Sequence, residues 1–73
     1  MADVYAVTRT FDRVSGERVL SVKVNGGSLT VDCAHGAEWV TFRTFTEDTA
    51  EVVNFSNSRV YRFTPAGGAT YAL

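Results

Sequence analysis

Apolar and polar positions alternate along this chain in short runs that recur about every ten residues, each bounded by Gly, Asn, Asp or Ser. That spacing is expected of a small β-sandwich or barrel. Val4 to Phe11 opens the series, and 12–18 (DRVSGER) turns the chain. Between Val19 and Asn25, Leu20, Val22 and Val24 fall on one face while Ser21, Lys23 and Asn25 fall on the other, the pattern of a half-buried strand. Asn25-Gly26-Gly27-Ser28 follows as a tight-turn signal, because Asn and Gly accept the positive φ that hairpin turns demand. Leu29, Val31 and Cys33 then alternate with Thr30 and Asp32, which sets the thiol on the apolar face.

Ala34-His35-Gly36 leads into the run Glu38-Trp39-Val40-Thr41-Phe42-Arg43-Thr44-Phe45, and Glu47-Asp48-Thr49 leads out of it. Glu51 to Phe55 and Arg59 to Phe63, joined by Ser56-Asn57-Ser58, read as a further hairpin. Asp48 with Glu51 three residues on also fits a helix capping box, but Val52, Val53, Asn54 and Phe55 are poor helix formers, and strand is preferred. Pro65-Ala66-Gly67-Gly68 ends regular structure, leaving 69–73 as a short final strand or a loose arm. The pattern predicts one all-β domain over 1–73. Its expected form is an antiparallel meander of five to seven strands, closed or partly closed as a barrel or strongly twisted as a sheet. Closure would remove exposed edges, which invite unwanted pairing.

The run from Glu38 to Phe45 does not fit one buried face, since strict alternation sends Trp39 and Phe45 one way and Phe42 the other. One extra residue between Phe42 and Phe45 would resolve this, because a bulge sets two residues against one and shifts the register. Val40, Phe42 and Phe45 would then share the core side, leaving Trp39 and Thr41 opposite, with Arg43 close by if the bulge preserves that side. Tyr61 and Phe63 pose a similar problem beside Val60. A protein-binding surface built from Trp39, Arg43, Tyr61 and Arg62 is the resulting expectation, since Trp, Tyr and Arg are enriched among interface hot spots. The competing expectation is that the second face is covered from within, by the Val4 to Phe11 strand or by Tyr71 and Leu73.

Composition narrows the remaining choices. A chain of 73 residues buries only about 60% of the surface it exposes when unfolded, and domains this small usually need a staple. Cys33 is the sole cysteine and His35 the sole histidine, so neither an internal disulfide nor a set of zinc ligands is on offer. Self-association or very regular packing is what remains. Met1-Ala2-Asp3 lacks the basic start of a signal peptide, and no apolar run approaches the ~18 residues that span a bilayer, so a soluble, cytoplasmic chain with no membrane partner is expected.

Seven basic and eight acidic side chains give a net charge of −1, which disfavours nucleic acid as a partner. Six of the seven cations are Arg, the cation suited to flat, partly desolvated contacts, although codon bias would give the same count.

Chemistry is sparse. Asp32, Cys33, His35 and Glu38 are the one concentration of catalytic residue types, but Cys33 lies in phase with Leu29 and Val31 and reads as a buried, inert thiol. The cluster has no recognised metal-ligand spacing, and Glu47, Asp48 and Glu51 lack the pattern of a calcium loop and read as a solvated acidic turn. Gly26-Gly27 and Gly67-Gly68 are turns without the context of a phosphate loop. No catalytic residue, cofactor, metal or small-molecule substrate is expected.

The leading expectation is a non-enzymatic protein-binding module, of the accessory or inhibitory kind that viruses and mobile elements encode, acting through an aromatic and arginine sheet face or a free strand edge. One alternative is a structural subunit that buries its second apolar face and its tail against copies of itself, as in a virion component. A second is a small β-barrel that stacks single-stranded RNA, against which stand the net charge and the carboxylates near Trp39.

Overall fold

The computed structural model describes residues 4–12, 16–56 and 59–73. Asn57 and Ser58 of the expected Ser56–Ser58 turn, and Arg13 to Ser15 of the expected 12–18 turn, lie outside the described residues. The described residues form eight strands: β1 (Val4–Tyr5), β2 (Arg9–Phe11), β3 (Gly16–Lys23), β4 (Ser28–His35), β5 (Glu38–Phe45), β6 (Thr49–Phe55), β7 (Tyr61–Ala66) and β8 (Thr70–Ala72). The all-β class is as expected, but the count is eight rather than five to seven. The strands make two four-stranded antiparallel sheets, ordered β1-β8-β3-β6 and β2-β7-β4-β5, instead of a closed barrel.

Connectivity departs from the meander. Among the described residues only β4 and β5 are consecutive strands that pair with each other; the other ladders join β1 to β8, β2 to β7, β3 to β6, β3 to β8 and β4 to β7. The expected single strand from Val4 to Phe11 is two strands in different sheets, joined by Ala6-Val7-Thr8. Tyr71 holds this crossover by donating its hydroxyl hydrogen to the Val7 carbonyl at 3.0 Å. The two expected hairpins also dissolve, since β3 and β4 sit in separate sheets, as do β6 and β7. The physical reason is that each run has one apolar face, and a chain that switches sheets at a turn brings two such faces together across the core.

The turn at Asn25-Gly26 is as tight as its residues predict. Both have positive φ, 50° and 85°, and Gly27 N–H donates to the Val24 carbonyl at 2.7 Å. Its companion is the Gly67-Gly68 turn, with which it packs backbone against backbone: a Cβ on Gly27 would stand 1.8 Å from the Ala66 carbonyl oxygen. The Asn25 side chain ties the two together by donating to the Gly68 carbonyl at 3.1 Å. Asp48 does not cap a helix. It accepts from the Val24 N–H at 2.9 Å, and Thr49 to Phe55 is strand.

Leu20, Val22, Val53, Phe55 and Tyr71 of the first sheet meet Leu29, Val31, Phe45, Tyr61 and Phe63 of the second in one core, with Tyr5, Phe11 and Cys33 at its margin. The last strand belongs to that core. Ala69, Tyr71 and Ala72 are buried, and β8 lies between β1 and β3, so 69–73 is no loose arm free to reach a neighbouring molecule.

Candidate functional site

β5 is an edge strand, and Phe45 is its single buried residue. The register with β4 slips once: Val31 faces Arg43 while Asp32 faces Thr41, so Phe42 and Arg43 together oppose Val31. A bulge is therefore present, with Phe42 itself the extra residue, one place earlier than expected. Both bulged side chains lie on the inner side with Val31. Phe42 packs against the rings of Phe55 and Tyr61, at centroid distances of 6.5 and 5.7 Å. Arg43 reaches the opposite sheet, where its Nη2 pairs with Glu51 Oε1 at 2.6 Å, and its guanidinium lies 4.9 Å from the Phe45 ring centroid.

This changes the composition of the expected surface. Arg43 is on the other side of the sheet from Trp39, because the bulge reverses alternation before Arg43 and not after it. Tyr61 is a core residue whose hydroxyl accepts from the Ser56 N–H at 3.0 Å. It shares parity with Phe63 along β7, and that common parity points both rings inward. Trp39 and Arg62 are the two members that the fold brings together.

They meet on the outer face of the second sheet. The Arg62 guanidinium carbon stands 4.4 Å from the Trp39 ring centroid, a cation–π contact between β7 and β5 that spans β4. Beneath them is Asp32, 8% exposed, whose Oδ2 accepts from Arg62 Nη2 at 3.0 Å and whose Oδ1 accepts from the Thr41 hydroxyl at 3.2 Å. A carboxylate this enclosed needs both the counter-charge and the hydrogen bonds to offset its lost hydration. The three groups therefore fix one another, and the ring they support remains 37% exposed.

Register supplies the surroundings. One row across the sheet runs Thr10, Arg62, Asp32, Thr41, and the next runs Thr64, Thr30, Thr44. The face is thus short-chained and neutral apart from one balanced ion pair. Asp32, Thr30, Thr44, Thr64 and Thr10 were not among the expected surface residues, whereas Thr41 was expected beside Trp39. The available signal was the Thr30–Asp32 alternation opposite Leu29 and Val31, which marks one polar face of β4.

Elsewhere, β4 continues to His35, so Cys33 and His35 share the inner side of the sheet, while the Cys33 thiol contacts its neighbouring Ala34 carbonyl at 3.7 Å. Of the acidic turn, Asp48 and Glu51 are engaged by Val24 and Arg43 as described, and Thr49 adds a hydroxyl to Glu51 at 3.4 Å. Among the described residues no three of His, Cys, Asp and Glu gather closely enough to hold a metal ion, and no helix is long and apolar enough to cross a membrane. Comparison with family models, curated proteins and solved structures finds no match to this chain.

Proposed function

We propose that this domain is a non-enzymatic protein-binding module whose contact surface is the outer face of the β2-β7-β4-β5 sheet, centred on Trp39. The observation that carries the reading is the Trp39–Arg62–Asp32 stack, an exposed indole already held in one orientation. A fixed aromatic loses little rotamer freedom on binding, and Trp is the residue type most often found to anchor an interface. The surrounding threonines present a flat surface that costs little to desolvate, and the open edge of β5 beside Trp39 offers unpaired backbone groups to an incoming strand. The finer reading, an intracellular accessory or inhibitory protein of viral or mobile-element type, rests on the sparseness of catalytic residue types.

Charge favours protein over RNA as the partner. The cation at this face is balanced by Asp32, and Arg43 is occupied by Glu51, so neither stands ready for a phosphate backbone.

The test begins with a photoreactive amino acid placed at Thr44 and, as a control, at Val7, exposed in the crossover between the sheets. The protein captured from Thr44 is then purified and titrated calorimetrically against wild type and Trp39→Ala. We expect the substitution to weaken binding at least ~30-fold, the loss of an interface anchor. Trp39 is the sole tryptophan, so its emission should also shift to the blue as the partner covers it. Equal affinity for both proteins, with no change in emission, would overturn the reading.

A further inference from the structure

The β1-β8-β3-β6 sheet also has an outward face, and it is of a different kind. β3 presents Glu17, Val19, Ser21 and Lys23 there, and register sets Asn54, Val52 and Ala50 of β6 beside the first three. On the other flank Ala72 adjoins Ser21, Thr70 adjoins Lys23, and Val4 of β1 stands beyond Ala72. Val4, Val19 and Val52 are 69%, 59% and 59% exposed, so the centre of the sheet is a flat patch of small and β-branched side chains. Because β8 stops while β3 runs on, the patch carries a hollow lined by Glu17, Arg18, Val19, Ser21, Ala72 and Leu73. Patches of this sort on small proteins mark contact surfaces.

We propose that this face docks a second copy of the same chain as an antiparallel, two-fold dimer. The charges select the occupant and its direction. Glu17 and Lys23 mark opposite ends of one outward row on β3, six residues apart, a span of about 20 Å. Two copies stacked with their β3 strands antiparallel set each Glu17 against the other's Lys23, so the favourable pair forms twice. Stacked parallel, Glu17 would meet Glu17 and Lys23 would meet Lys23. In the antiparallel arrangement Val19 faces the second copy's Ser21 and Val52 faces its Ala50, a larger side chain against a smaller one in each case. The level of Val4 on one copy also corresponds to the level of the hollow beyond β8 on the other.

Area sets the strength. Strands of eight, seven, three and two residues, at about 3.3 Å per residue and about 4.8 Å between strands, give a face of roughly 320 Å². Two such faces bury about 640 Å² together, less than a standard interface, so the dimer is weak and its mass depends on concentration.

The experiment is sedimentation equilibrium of wild type, Glu17→Lys, Lys23→Glu, the double exchange of both, and Val52→Asp. Wild type should pass from monomer to dimer with rising concentration. Each single charge reversal should raise the dissociation constant at least ~10-fold, the double exchange should bring it back near wild type, and Val52→Asp should leave monomer. Trp39→Ala should dimerise as wild type does, which keeps this result separate from the fate of the other face. All these positions are exposed, and circular dichroism confirms folding of each variant before its mass is read. Monomer at every concentration, a double exchange that fails to restore dimer, or a dimer lost only in Trp39→Ala would overturn the proposal.

Discussion

The rings of Phe63 and Tyr71 lie nearly parallel, 13° apart with centroids 5.1 Å apart, and through them β7 of one sheet stacks on β8 of the other. That position is so enclosed that burial pushes the Tyr71 phenol up to about 12, with Arg9 pulling it down and Tyr5 adding to the rise. The unfolded chain gives up this proton near pH 10, two units earlier. Its contribution to stability is therefore intact below pH 10 and is lost as pH rises from 10 to 12. Tyr71→Phe should lose about 1 kcal/mol at neutral pH with its bond to Val7, and should show a shallower alkaline fall in urea midpoint. Identical slopes in the two proteins would mean that burial of this phenol is not what weakens the fold in alkali.

Trp39 and Phe63 should differ sharply when truncated. Phe63 is fully buried, and Phe63→Ala should cost about 3–5 kcal/mol. Trp39→Ala removes a half-covered ring and one cation–π contact, and about 1 kcal/mol is expected. Chemical denaturation of the two variants decides this, and a Trp39 loss as large as that of Phe63 would make the indole a core element.

The Asp32–Arg62 pair should matter through what is left when one partner goes. Arg62→Leu strands a buried carboxylate with only Thr41, and a loss of about 2 kcal/mol is expected, less than for a fully enclosed pair because Arg62 keeps a third of its side chain in water. Replacing both residues with threonine continues the existing threonine rows and should recover most of that loss. Urea midpoints of the single and double variants test it, and additive losses would show that the pair is not coupled.

Two glycines make a contrast in steric terms. Gly36 has φ of 63° with open space around it, so Gly36→Ala should cost about 1–2 kcal/mol for left-handed backbone alone. Gly27→Ala drives a methyl into the Ala66 carbonyl, which is backbone and cannot swing aside. Its thermal midpoint should fall much further than that of Gly36→Ala, and the two turns should separate.

Parity along single strands was legible from sequence. β3 alternates cleanly because one of its faces is core, the Asn25-Gly26 turn follows from residues that accept positive φ, and a bulge was required by rings on both sides of β5. Pairing was not legible, because which strand lies beside which depends on side-chain fit across the core. β1 against β8 joins Val4 to Ala72, and nothing local to either residue announces the other. The candidate surface was half legible for the same reason. Trp39 and Arg62 could be nominated by type, whereas the seat that joins them is Asp32 on the strand between, a neighbour by register alone. Arg43 was misplaced because the bulge falls one residue earlier than expected, and each unit of slip exchanges the two faces.

The order of the strands along the chain also dictates how the molecule must assemble. One ladder, β4 with β5, closes through a two-residue turn and can form as soon as both strands exist. Among the described residues every other ladder waits for distant sequence, and β1 pairs only once β8 has been made. Loop closure of that length is a kinetic burden that local contacts cannot relieve, so folding should be slow for a chain of this size and concerted, beginning around the β4–β5 hairpin. A nascent chain halted before β8 would hold Ser21, Val22 and Lys23 of β3 without one flanking strand, the state in which sticky edges meet those of other chains.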